Sequence, residues 1–146
     1  MTALNVRHVG IVTNDLKKSI NFYSKILGFK IVRQMNETDP SLSNLMSLKK
    51  VKVKTVKMIS KQNGMVELLS WKSPKTKKKV ACSKLNLVGL THFALTVKNL
   101  DFLYNKLKKK IKFLSKPKYS PDKKVKLVFC KSPEGVFIEM VQQLKN

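Results

Sequence analysis

The chain is 146 residues long, with 42% hydrophobic and 27% charged residues, the balance of an ordinary folded chain rather than a disordered or collagen-like one. No apolar run approaches the roughly 18–20 residues that a membrane-crossing helix requires; the greasiest stretch, 87–97, is interrupted by Gly89, Thr91 and His92. The N-terminal segment lacks the basic-then-apolar pattern and cleavage site of a secretion signal, and two cysteines, Cys82 and Cys130, are too few for a disulfide framework. A reducing, cytoplasmic setting is expected.

The net charge of +23 comes from 31 basic residues against 8 acidic ones, and only Arg7 and Arg33 among the basic residues are arginine. The lysines spread along the whole chain instead of forming one arm. Phosphate and base recognition favours the planar fork of arginine, so nucleic acid is not the expected partner. Two readings remain: a composition bias that fills tolerant surface positions with lysine, or a small anionic ligand.

An internal repeat organises the chain. Laying His8 over His92 aligns HVGIVTNDLKKSINFYSKILGF with HFALTVKNLDFLYNKLKKKIKF without a gap. In chain order, 6–12 alternates as a strand. Leu16, Ile20, Tyr23 and Leu27 then recur at helical spacing behind Asn14 or Asp15 as N-cap, with Gly28 as the stop. Strands follow at 29–35, 51–60 and 65–71. Residues 36–50 form a polar insertion with room for a helical turn, and Gln62-Asn63-Gly64 makes a tight reversal.

A lysine-rich linker occupies 72–86. The second copy repeats the order: a strand at 90–97, a helix from Leu100 through Leu103, Leu107 and Ile111 capped by Asn99, then strands at 112–115, 125–131 and 136–142 around a turn at Gly135. The expected fold is α+β, two βαβββ modules (about 4–71 and 87–143) forming one cupped mixed sheet in a single domain, 1–146. Neither half buries both faces of its sheet alone.

Four residues depart from strand chemistry. His8 and His92 share one repeat position, and Glu67 and Glu139 fall within one position of each other in the last strands, MVELLSW and VFIEMVQ. The longer His-to-Glu separation in the first copy fits the insertion. A carboxylate flanked by apolar residues is costly unless it is paired or holds a metal. Small neighbours, Gly10 and Ala94, share the histidine faces and leave space for a ligand. Two imidazoles and two carboxylates make a mixed nitrogen/oxygen donor set suited to Zn, Ni, Co, Mn or Fe, with coordination positions left open as in catalytic sites. His8, Glu67, His92 and Glu139 are therefore the expected ligands of one divalent metal ion.

These motifs, with GLTHFALTVKN and the closing SPEGVFIEMVQ, resemble the vicinal oxygen chelate superfamily of glyoxalase I, methylmalonyl-CoA epimerase, extradiol dioxygenases and fosfomycin- and bleomycin-resistance proteins. The resemblance covers about 6–142, with Ser132 where the family usually has aspartate. It implies that the first and fourth strands of each module are neighbours, which brings His8 beside Glu67 and His92 beside Glu139. Two glutamates look most like glyoxalase I. That likeness implies a metal-dependent lyase or isomerase that moves a proton on a small carbonyl or thioester substrate through an enediolate, with Glu139 as base and Glu67 as its partner. It also implies a homodimer, with the ligands drawn from one chain or two.

Bacterial glyoxalases carry an arginine and an asparagine for glutathione where this chain has Val12 and Trp71, so the likeness does not extend to those contacts. Trp71 shares the strand face of Glu67 and reads equally as a pocket wall or as core. A ring-cleaving dioxygenase and a non-catalytic small-molecule binder are the alternatives. Of the two, an anionic ligand suits a +23 chain better than the cationic drug of the bleomycin-type proteins.

Overall fold

A computed structural model of the chain describes residues 3–38, 40–77 and 84–144. Two compact units divide it, Met1–Lys79 and Val80–Asn146. The first runs β1 (Val9–Val12), α1 (Leu16–Asn21), β2 (Lys30–Glu37), α2 (Pro40–Leu45), β3 (Lys52–Ile59) and β4 (Met65–Ser73). The second runs β5 (His92–Thr96), α3 (Leu100–Leu107), β6 (Lys118–Tyr119), β7 (Val125–Lys131) and β8 (Phe137–Gln143). The sheets have matching orders, β1-β4-β3-β2 and β5-β8-β7-β6. In each, the first and last strands pair in parallel while the other neighbours are antiparallel. This is the α+β fold with two βαβββ modules, α2 being the helical turn of the insertion.

Local chemistry explains the helix boundaries. The Asp15 carboxylate, rather than Asn14, accepts from the Lys18 N–H at 2.9 Å, satisfying one of the donors that a helix start leaves open. Below it Thr13 and Ser19 share a buried hydroxyl–hydroxyl bond of 2.6 Å. The helical spacing up to Leu27 is realised in two pieces, because α1 widens into a π-helical turn over Phe22–Ile26. That turn delivers Tyr23, fully buried, edge-on between Phe22 and Phe29. Gly28 then ends the segment at φ +77°, a backbone conformation that costs glycine little.

Packing sorts the strand faces. Ile11, Val56, Met58, Val66 and Leu68 are buried in the first unit, and Val128, Cys130, Ile138 and Met140 in the second. On β3 and β4 the alternate positions carry Lys57 and Glu67, which are half-buried. Burial pushes the Cys130 thiol up to about 12, leaving almost no thiolate at neutral pH. In a Cys82→Ser background, Cys130 is expected to ignore an aromatic disulfide reagent at pH 8 until denaturant is added; rapid labelling of native protein would contradict this burial. Cys82 itself lies outside the described residues.

Two expectations need correction. The strand expected at 112–115 is only a bridge: Phe113 pairs with Cys130, and the regular pairing resumes at Lys118–Tyr119 opposite Lys126 and Leu127. Pro117 lies in the gap, and proline has no N–H to give a ladder. The strand expected at 6–12 starts at Val9, with Leu4 and Val6 exposed. His8 therefore stands just ahead of β1 rather than within it.

Candidate functional site

The parallel pairing of β1 with β4 sets Gly10 opposite Glu67, and His8, two residues earlier, projects toward the same carboxylate. His8 Nε2 lies 3.2 Å from Glu67 Oε2. The second unit repeats the construction. Ala94 is opposite Glu139, and His92 Nε2 is 3.6 Å from Glu139 Oε2. Gly10 and Ala94 are thus the small cross-strand partners of the two glutamates, and a Cβ at Gly10 would make only an ordinary contact, 3.6 Å from the Leu69 side chain. Both glutamates are mostly but not fully buried, with 14% and 21% of their side-chain surface exposed.

The spacing decides what such pairs suit. A separation of 3.6 Å is too long for a hydrogen bond. Donors bound about 2.1 Å from a cation stand roughly 3.0 Å apart at octahedral angles and 3.4 Å at tetrahedral ones. Both pairs turn Nε2 and a carboxylate oxygen toward each other at that scale. Behind His92, Nδ1 lies 2.9 Å from Thr91 Oγ1, the kind of contact that fixes a ligating ring and its tautomer. His8 Nδ1 is buried without a hydrogen-bond partner among the described residues. The donor chemistry fits a divalent ion in both units, each supplying one imidazole and one carboxylate. Among the described residues, no group of three or more His, Cys, Asp or Glu donors gathers within either unit.

The two pairs differ in what flanks them. Lys57 stands opposite Glu67 in the β3–β4 register, and its Nζ is 3.5 Å from Glu67 Oε1. The matching neighbour of Glu139 is Phe129, whose ring meets the His92 ring edge-on at 5.3 Å between centroids. Glu67 is thus held between an imidazole and an ammonium, while Glu139 has the imidazole and an aromatic neighbour. Neither Lys57 nor Phe129 stood out in the sequence, where one is a lysine among many and the other an ordinary strand aromatic. Trp71, half-buried, lies two pleats beyond Glu67 on the same face and opposite Val53.

Known proteins share this architecture. A glyoxalase family protein from Bacillus cereus superposes with a TM-score of 0.87 at 20% identity, covering 99% of this chain and 97% of that one. The trypanothione-dependent glyoxalase I of Leishmania major gives 0.63 at 19% identity, over 96% of this chain and 87% of that one. A glyoxalase I variant from Zea mays gives 0.67 at 20% identity, over 95% of this chain but 44% of that longer one. At such identities these likenesses establish the fold. No curated protein matches the chain by sequence, and among the described residues no helix is long and apolar enough to cross a membrane. The family model for the Glyoxalase/Bleomycin resistance protein/Dioxygenase superfamily matches residues 5–140. With that match spanning both modules and both His–Glu pairs, the chain belongs to this superfamily.

Proposed function

We propose that the protein is a metal-dependent lyase or isomerase of glyoxalase type, acting on a small anionic carbonyl or thioester compound. The observation that carries this reading is the repeated imidazole–carboxylate pair, His8 with Glu67 at 3.2 Å and His92 with Glu139 at 3.6 Å. Two donors hold an ion weakly, so the reading requires both pairs on one cation, supplied by a single chain or across a homodimer. A divalent ion bound there would polarise the substrate carbonyl and offset the negative charge that develops as the α-carbon loses its proton.

The side chains divide the remaining work. Glu139 takes the α-proton on a carboxylate oxygen and returns it to the neighbouring carbon, a role that needs a carboxylate free to move. Its surroundings favour this assignment over Glu67, which Lys57 and His8 hold from two sides. His8 and His92 would hold the ion through their ring nitrogens, and Thr91 steadies the His92 ring. Trp71, on the face of Glu67, gives the substrate an apolar wall that helps keep water from the transferring proton.

Elemental analysis of protein purified without chelators or an affinity metal is expected to find one divalent ion per set of two pairs. In deuterated water the metal-loaded protein should convert a methylglyoxal hemithioacetal or racemise an α-chiral acyl thioester, with deuterium entering at the α-carbon. Absence of both turnover and exchange across such a panel would overturn the reading. Oxygen uptake with catechols in the iron-loaded form would replace it with ring cleavage.

A further inference from the structure

The strand register of the first unit builds a second chemical feature beside the His8–Glu67 pair. Reading across the sheet from β4, Glu67 faces Lys57 on β3, and Lys57 faces Arg33 on β2. Cross-strand partners share a face, so the row carries a carboxylate followed by two cations. Arg33 reaches this face through a register shift between Ile31 and Arg33. Ile31 pairs with Met58; without the shift Arg33 would pair with Val56, which is fully buried on the opposite face. One extra residue, Val32, turns the arginine to the side of Glu67, as bulges beside binding sites often re-aim a side chain.

Three further observations separate this row from the general abundance of lysine. Arg33 is one of only two arginines among 31 basic residues, and guanidinium is the cation best shaped to grip an oxyanion with two parallel hydrogen bonds. Like charges directly opposite one another destabilise a sheet. Lys57 has Glu67 to offset it, but Arg33 forms no ion pair with any described residue. Thr55, two residues along β3 on the Lys57 face, is 3% exposed, and its hydroxyl has no hydrogen-bond partner among the described residues. A buried polar group of that kind asks for a ligand or water.

We propose that Arg33, Lys57 and Thr55 form a binding site for an oxyanion, the carboxylate or phosphate group of the substrate. Neighbouring strands lie about 4.8 Å apart, which puts the arginine strand roughly 10 Å from the Glu67 strand. The row therefore selects a compound whose charged end is several bonds from the carbon at which the proton moves. That last point rests on the function proposed above; the binding of the anion does not. When Glu67 turns to a cation, Lys57 loses its counter-charge, so anion affinity should rise on metal loading, and by linkage the anion should raise metal affinity equally.

The test is a titration of full-length, isotope-labelled protein, metal-free and metal-loaded, with succinate, inorganic phosphate and uncharged dimethyl succinate. Succinate or phosphate should shift the Arg33 Nε–H and Lys57 amide signals while dimethyl succinate does not, and the tighter of the two identifies the group. Arg33→Gln should weaken binding about tenfold or more, Arg33→Lys and Thr55→Val by less, and the exposed-turn control Lys61→Gln by under about twofold. Metal content should be unchanged in Arg33→Gln. Equal weakening in Arg33→Gln and Lys61→Gln, equal response to the uncharged ester, or no shift with either anion would overturn the proposal. Weakened metal binding in Glu67→Gln with anion binding retained supports the oxyanion site and tests the catalytic reading separately.

Discussion

Replacing Glu139 by Gln is expected to lower turnover by roughly a thousandfold, within the range that a positioned general base contributes, while the protein stays folded. Glutamine keeps the shape of the side chain and one oxygen toward His92 but neither accepts the α-proton nor carries the charge that a cation needs. Glu67→Gln should reduce metal affinity as well, yet retain more of the turnover once metal is saturating, because Glu67 is the carboxylate held by Lys57. Turnover measured at saturating metal, together with metal content and circular dichroism, separates these effects. Near-wild-type turnover by metal-saturated Glu139→Gln would remove that residue from proton transfer.

Leu68→Ala should be strongly destabilising to the first unit. Leu68 is fully buried on β4, with Ile11 and Val56 as its cross-strand neighbours on the two flanking strands. Truncating a leucine in a packed core costs about 2–5 kcal/mol, the higher values where the cavity fails to collapse. Three packed strands meet here, so about 3–4 kcal/mol is expected, lowering the melting temperature by roughly 6–15 °C in a chain of this size. Leu68 points away from the Glu67 face, so folded Leu68→Ala protein at low temperature should bind metal like the parent. A stability loss under about 1 kcal/mol would show that the β4 core is not closed as described.

Much of this was readable beforehand, for identifiable reasons. The duplicated pattern around His8 and His92 is a linear signal, as are the helix start at Asn14 or Asp15 and the alternation of 125–131. The pairing of each histidine with its glutamate required only that the first and last strands of a module be neighbours. Other features depend on which strand meets which. The segment KIVRQMNE alternates too weakly to fix a face, and its register shift exists only against β3. Pro117 marks where the ladder breaks, but where pairing resumes is set by β7. The contact of Lys57 with Glu67 is hidden among so many lysines because it is a cross-strand relation.

The unlike neighbours of the two glutamates, an ammonium for one and a phenyl ring for the other, break the symmetry of the repeat. Under the proposed function the two halves are not interchangeable: the first holds its carboxylate in place and the second leaves its carboxylate free to move. A chimera joining two first halves would inherit restraint twice over, and one joining two second halves would lack a place for charge to rest, so neither symmetric hybrid should recover the properties of the natural pairing.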